Sequence, residues 1–338
     1  MRRNNPTNFM LTWRIEALHL KLKYTWRIAR NASDEKLNFL IQVSDGNYSG
    51  FGEAAPNIRY GETPDLLLQQ YQVLLMAGLG SVKSMEELLQ LLTEHTPVNA
   101  LRFAIEAAYL HYYCQVNKIA VHQLLGQQQP VQQATCFSLP IMEPGHVAGF
   151  IAQHRLQRFP YLKVKVNSEQ GPDLLQEVLK AVEKPVVLDG NESWKDPDEL
   201  LRFLQTIDRQ RVLFIEQPMP ASEATAYAHL KPLTPVPLIA DESVTDEADF
   251  ELLRQEFHGV NIKLMKAGGY LNAVRLLQEV RKQGMMAMLG CMVETTLGIW
   301  CAMQFSAAFD FVDLDGFMII EDEPFKLVRE EEGILYLK

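Results

Sequence analysis

In the second half of the chain seven short apolar runs, residues 161–166, 185–189, 212–216, 237–241, 260–263, 285–289 and 311–315, recur about 20 to 30 residues apart. Their near-continuous apolar character is that of parallel strands buried on both faces. Between them, 173–183, 197–206, 223–230, 246–257, 272–283 and 295–308 are amphipathic at helical spacing, and Asp, Ser or Thr near several of the openings suits helix starts. An earlier run, 134–139, supplies a first strand. The pattern predicts an α/β fold in which seven βα units and a final strand close into a (β/α)7β TIM-like barrel.

The first 125 residues follow another period. Residues 18–22, 37–43 and 48–53 alternate as antiparallel strands do, with Ser44-Asp45-Gly46-Asn47 as the turn between the last two. Helical periodicity then runs over 64–76, 85–95 and 97–117. This predicts an N-terminal α+β capping domain over 1–125, a barrel over 126–316, and an acidic tail over 317–338 that returns to the first domain and completes it. Residues 127–130, Gln-Gln-Gln-Pro, form a short link.

A chain of 338 residues exceeds what one hydrophobic core usually holds, in keeping with two domains. The net charge of −10 argues against nucleic acid or an anionic membrane as partner. Apolar stretches fall far below membrane-span length, and the start, Met1-Arg2-Arg3-Asn4-Asn5-Pro6, lacks the apolar middle of a secretory signal, so a cytoplasmic protein is expected. Cys114, Cys136, Cys291 and Cys301 show no metal or CxxC spacing and sit in apolar contexts, which predicts reduced, packed thiols. A homo-oligomer stays open.

Candidate chemistry lies at the strand ends: Lys163 and Lys165, Asp189 and Asn191, Glu216, Asp241, Lys263, Glu294, and Asp313 and Asp315. In a barrel, groups at the carboxyl ends of the strands meet in one mouth. Asp189, Glu216 and Asp241 end consecutive strands, and three carboxylates without a histidine or cysteine cluster suit a hard divalent ion such as Mg²⁺, one per subunit. Capping of the next helix is the plainer role for any one of them; three in succession, flanked by lysine-ended strands, favour the ion. Lys163 and Lys165 share a face of their strand, and Lys263 ends the sixth strand, opposite the second. A neighbouring cation and a metal lower a lysine's pKa, which predicts a base near neutral pH. A carboxylate on such an ion becomes acidic at its α-carbon, because ion and ammonium groups stabilise the enediolate left when the proton departs. Lys266 lies past the strand end and reads as an exposed loop lysine.

Lys163-Val-Lys165, Asp189-Gly-Asn191, Glu216-Gln-Pro218, Asp241-Glu-Ser243 and Asn261-Ile-Lys263, with Gly268-Gly269 after them, resemble the muconate-lactonizing branch of the enolase superfamily, where lysine bases work beside Mg²⁺. Gly50-Phe-Gly-Glu-Ala-Ala-Pro56 and Ala104-Ile-Glu-Ala-Ala108 resemble that family's capping-domain signature and long helix, so the likeness spans nearly the whole chain. Asp313-Leu-Asp315-Gly316 is similar to the Asp-x-Asp element of the dipeptide epimerases, where paired carboxylates hold the substrate's ammonium by charge-assisted hydrogen bonds. The closing Glu330-Glu-Glu-Gly333 keeps one glycine where the family often has Gly-x-Gly, which bears on how the tail packs.

The resemblance implies Mg²⁺ on Asp189, Glu216 and Asp241, acid/base roles for Lys165 and Lys263, a helper role for Lys163 near the substrate carboxylate, and bracing by Asn191 and Glu242. It implies a 1,1-proton transfer at the α-carbon of a dipeptide's C-terminal residue, with L-Ala-D/L-Glu, from reused cell-wall peptide, as the expected pair. Asp313, Asp315, Ser138, Cys291 and Glu294 are placed around the substrate. Arg27 and Arg30, and Arg59 after the Gly-Glu-Ala-Ala-Pro motif, are candidates for its glutamate side chain. A preference for apolar C-terminal residues is an alternative. An o-succinylbenzoate synthase or muconate cycloisomerase would keep the metal and lysines, but Asp313 and Asp315 would repel those multiply anionic substrates. A non-enzymatic peptide-binding barrel is the third reading, and the filled acid, base and ligand positions argue against it.

Overall fold

The computed structural model describes residues 10–128 and 132–338; the Met1–Pro6 start and Gln129 and Pro130 of the link lie outside them. β1 (Thr12–Arg27), β2 (Ala32–Ser44) and β3 (Ser49–Ala54) form an antiparallel sheet in that order. β1 extends well beyond the predicted 18–22, because pairing with β2 runs from Thr12↔Ser44 to Arg27↔Ala32 and carries polar positions along with the apolar ones. α1 (Pro64–Met76), α2 (Met85–His95) and α3 (Asn99–Asn117) follow at the predicted places. Thr63 and Ser84 cap the first two by accepting from Leu66 N and Glu87 N. α3 lies so close to β3 that a Cβ at Gly50 or Gly52 would run into the carbonyl oxygens of Ala108 and Ala104. Those two glycines let the long helix sit on the sheet. A short helix, α4 (Val121–Leu124), closes this part of the chain.

The predicted first strand divides. β4 (Gln133–Ala134) pairs away from the barrel, and β5 (Phe137–Leu139) begins it. Then come α5 (Val147–Gln153), β6 (Leu162–Lys165), α6 (Gly171–Ala181), β7 (Val186–Asp189), α7 (Pro197–Thr206), β8 (Val212–Glu216), α8 (Ala224–Leu230), β9 (Leu238–Ala240) and α9 (Phe250–Glu256). β10 (Gly259–Ile262), α10 (Leu264–Ala267), α11 (Tyr270–Lys282), β11 (Met286–Gly290), α12 (Thr296–Met303) and β12 (Phe311–Asp313) complete the series. β5 to β12 are parallel neighbours in chain order. The seam between the first and last is bridged by side chains. Thr135 Oγ1 donates to Val312 O and accepts from Leu314 N, and Tyr161 OH does the same with Val312 O and Val312 N. α9 is shorter than the predicted 246–257, because Asp249 accepts from Glu251 N and Leu252 N and so starts the helix there.

β13 (Val328–Glu331) and β14 (Ile334–Leu337) form the tail hairpin, and β14 pairs with β4. At its turn Glu332 takes the left-handed φ of 51° beside Gly333 at 77°, and Glu330 accepts from Gly333 N at 2.7 Å. The tail meets the first sheet at the bridge Leu22↔Ile320.

Buried carboxylates fasten the first sheet and helices to the barrel. Glu53 accepts from Thr295 N, Thr295 Oγ1 and Gly298 N at the start of α12, and Glu106 accepts from Leu271 N at the start of α11. Both helix N-termini present unpaired N–H groups and positive dipole ends, which a carboxylate satisfies. The four cysteines are free thiols. No helix among the described residues is long and apolar enough to cross a membrane.

Candidate active site

Parallel strands packed on both faces leave their carboxyl ends as the place where polar side chains gather, and here β6, β7, β8, β9, β10 and β12 contribute. Alternation along β6 turns Lys163 and Lys165 inward together; Lys163 is 1% and Lys165 8% exposed. Lys163 Nζ lies 2.9 Å from Asp189 Oδ2, 2.8 Å from Glu216 Oε2 and 2.7 Å from Asp313 Oδ2. Lys165 Nζ donates to Asp189 Oδ2 at 2.5 Å and Lys263 Nζ to Asp241 Oδ2 at 2.7 Å. The carboxylates and ammonium groups therefore interleave. Among the described residues no three carboxylate, histidine or cysteine side chains close on one point as metal ligands would.

Burial and charge pull against each other at every one of these groups. Burial disfavours the Lys163 ammonium, but Asp189, Asp313 and Glu216 hold it well above the usual lysine range. Lys263 is raised too, against its burial, by Asp241 and Glu216. The carboxylates act directly on these two lysines. Glu216, buried and beside Asp189, is pushed up to about 8, whereas Lys163 and Lys165 hold Asp189 low in spite of its burial.

A second layer fixes these groups. Asn191 N donates to Asp189 Oδ1 at 3.0 Å, and Asn191 Nδ2 reaches Glu242 Oε1 at 3.5 Å. Asn261 and Gln217 belong to this layer too. Asn261 Nδ2 donates to Glu216 Oε1 at 2.7 Å, and Gln217 Oε1 accepts from Asp241 N at 2.9 Å and Ser243 N at 3.1 Å. Both stand in motifs already visible in the sequence, beside the charged residue that drew attention. Lys266 corrects an expectation. It is 2% exposed and its Nζ donates to Asp241 Oδ1 and Asp241 O at 2.5 Å and to Asn261 O at 3.1 Å. The one-turn helix α10, closed by Lys266 N donating to Lys263 O at 3.0 Å, folds this lysine back beneath the strand end.

A cavity of about 490 Å³ covers the mouth, walled by the barrel ends and by segments of the first sheet and its loops. A larger groove of about 720 Å³ between Lys23 and the tail holds none of these lysines. Lys163, Lys165, Lys263, Asp241, Asn191, Glu242, Ser138, Cys291, Asp313 and Asp315 line the mouth cavity. Asp315 Oδ2 accepts from Ser138 N at 2.5 Å, and Asp313 Oδ1 accepts from Cys136 Sγ at 3.2 Å. Burial and the neighbouring Asp313 push Asp315 up to about 7, whereas Lys163 keeps Asp313 below the usual range despite burial.

Glu294 and Arg27 stand apart from that lining. Glu294 turns under its own loop, accepts from Met292 N at 2.7 Å and is pushed up to about 8 by burial and by Glu53. Arg27 is exposed at the end of β1. Arg30 and Arg59 reach the mouth already paired. Arg30 Nη1 lies 2.6 Å from Glu242 Oε1 and 2.9 Å from Glu192 Oε2, and Arg59 grips Glu192 through two bonds of 2.6 Å. Glu192 was absent from the candidates, and its partners, more than 130 positions away, explain why.

Residues 146–329 match the family described as enolase C-terminal domain-like. The chain is similar to an L-Ala-D/L-amino acid epimerase of Pedosphaera parvula, 32% identical with 94% of this chain and 93% of that protein covered. It is also similar to the L-Ala-D/L-Glu epimerase of Escherichia coli, 29% identical, covering 88% of this chain and 91% of the other. Among solved structures, the dipeptide epimerase of Enterococcus faecalis complexed with Mg and L-Leu-L-Tyr superposes with a TM-score of 0.87 at 25% identity, covering 97% of each chain.

Proposed function

The chain belongs to the enolase C-terminal domain-like family, and from that premise we propose that it is an isomerase, a Mg²⁺-dependent dipeptide epimerase acting on the α-carbon of the C-terminal residue. The observation that carries the reading is the placement of Lys165 and Lys263. They stand on the second and sixth strands of an eight-stranded series, each bonded to a carboxylate at the end of an adjacent strand, Lys165 to Asp189 on β7 and Lys263 to Asp241 after β9, and both line the cavity.

Asp189, Glu216 and Asp241 would hold the ion. Their hard oxygen donors suit it, and Glu216 Oε2 is buried without a hydrogen-bonding partner of good geometry, although the Lys163 ammonium lies 2.8 Å away. When bound, Mg²⁺ supplies positive charge to the substrate carboxylate and so acidifies the adjacent C–H. Lys163 adds its own charge from below. One of Lys165 and Lys263, as the neutral amine, accepts the α-proton and becomes an ammonium; the other, as ammonium, donates a proton to the opposite face and becomes the amine. Reverse turnover restores both. Asn261 and Gln217 keep Glu216 and Asp241 aimed, and Lys266 fixes Asp241 from behind. Asp313 and Asp315 would receive the substrate's ammonium.

The finer reading is an L-Ala-D/L-Glu substrate, which the names of the Escherichia coli and Bacteroides thetaiotaomicron relatives support; a source in reused cell-wall peptide and a place in the cytoplasm belong to the same proposal. The test is incubation with L-Ala-L-Xaa dipeptides and MgCl₂ in D₂O. Deuterium at the C-terminal α-carbon together with the L,D product is the expected result, and its absence across the panel overturns the proposal.

A further inference from the structure

Six cationic side chains line the mouth cavity: Arg30, Lys36, Arg59, Lys163, Lys165 and Lys263. Five lie within ion-pair distance of a carboxylate of this chain. Lys36 is the exception among the described residues, with neither an ion pair nor a hydrogen bond to its ammonium. Its direction follows from β2. Asn38, two residues on and so on the same face, donates to Val293 O at 3.0 Å in the loop after β11. Leu20, the cross-strand partner of Lys36, shares that face with Leu22, which bridges Ile320 after β12. Lys36 thus leans toward the loops that follow the seventh and eighth strands, and it lines the same cavity as Asp315 and Gly316. Its acidic neighbour Glu35 also lines the cavity but forms no ion pair with it.

Resting on the dipeptide epimerase reading, we propose that Lys36 is the specificity-determining cation of this site, selecting dipeptides that carry a second, side-chain carboxylate. Of the arginines expected to read such a group, Arg27 stands outside the cavity lining and the other two are occupied: Glu192 takes Nε and Nη2 of Arg59, and Glu242 and Glu192 share Arg30. A half-buried ammonium without a counter-charge is costly, and a ligand carboxylate removes that cost. Burial holds the Lys36 ammonium below its usual range, with no carboxylate opposing the shift. The charge that would be missing in the free protein is therefore one the substrate brings.

The experiment compares kcat/KM for L-Ala-L-Glu with its neutral isostere L-Ala-L-Gln, and for L-Glu-L-Ala with L-Gln-L-Ala, by deuterium incorporation with Mg²⁺ present. The wild type should favour the acidic member of at least one pair by roughly tenfold to a hundredfold, the scale of one hydrogen bond to a charged group. Lys36→Met should bring that ratio to about one, and Lys36→Arg should restore it; which pair responds tells which residue carries the carboxylate. Lys36→Gln provides the same reading should the methionine variant fail to fold. A wild type that exchanges the α-proton but shows no acidic preference, or an acidic preference that survives Lys36→Met and Lys36→Gln, overturns the assignment and leaves the epimerase reading intact. Absence of exchange in every dipeptide overturns both.

Discussion

Lys163 Nζ stands 2.7 Å from Asp313 Oδ2, joining the second and eighth strands of the barrel across its mouth. The two aspartates of the last strand are therefore unequal. Asp313 is neutralised from within, and Asp315, bonded to a backbone N–H of Ser138, keeps one carboxylate oxygen for a ligand. If the pair receives a substrate's ammonium, N-acetylation of the dipeptide should remove the attraction. The wild type should discriminate against N-acetyl-L-Ala-L-Glu by roughly tenfold or more in kcat/KM. Asp315→Asn should lose most of that discrimination, chiefly through KM. An Asp315→Asn variant that keeps the wild-type ratio would remove Asp315 from this role.

Lys266 separates a buried structural ion pair from a surface lysine. Its ammonium satisfies Asp241 from behind, and burial alone would lower its pKa. Lys266→Met should destabilise the fold by roughly 3 kcal/mol in urea unfolding, since it leaves Asp241 with one ammonium fewer in a dry setting. A surface lysine would change stability by less than about 0.5 kcal/mol.

The close seat of α3 on β3 gives a steric prediction. A methyl at Gly52 has the Ala104 carbonyl in its way, and that atom belongs to helix backbone that cannot swing aside. Gly52→Ala should cost upward of about 2 kcal/mol in thermal or urea unfolding. Gly46→Ala, where nothing lies within 4 Å, should cost less and only through its φ of +92°.

Glu106 gives stability a pH slope. Burial pushes its carboxyl up to about 7, against the hydrogen bond from Leu271 and the charge of Arg102. Because the folded pKa lies above the unfolded one, the native state binds the proton more tightly between roughly pH 4.5 and 7. The group's contribution is fully present below the unfolded pKa and is lost as pH rises through the folded value. Thermal unfolding of Glu106→Gln, followed from pH 5 to 8, should lose that part of the wild-type decline. Parallel curves for the two proteins would sink the attribution.

Local pattern carried the elements and the charged strand ends, because both depend on neighbours in sequence: a period of two or 3.6, a cap, a turn. Lys163, Asp189, Glu216 and Asp241 could be placed in one mouth from spacing alone. What sequence could not supply were partners set by folding over long distances. Glu53 meets Thr295, Glu106 meets Leu271, and Glu192 meets Arg59, each across more than 130 residues. Lys266 was misread for a local reason, a single helical turn too short to leave a period. The division of 134–139 between two sheets escaped for a similar one: β4 is two residues long, and its partner β14 lies at the end of the chain.

The two lysines offer the sharpest test of the chemistry. Lys165 follows from β6 and Lys263 from the end of β10, on opposite sides of the strand series, so a planar carbon held between them presents one face to each. Each amine can then reach the proton of only one epimer. Lys165→Met and Lys263→Met should both lose net epimerisation, by roughly a thousandfold or more if each supplies the general acid/base step. The surviving lysine should still exchange the α-proton of its own epimer with D₂O, without inversion. The two variants should therefore label opposite epimers of the same dipeptide, read by mass and by chiral separation of the C-terminal residue. Labelling of the same epimer by both would place the lysines on one face and refute the two-sided arrangement, and full epimerisation by either would remove that lysine from the reaction.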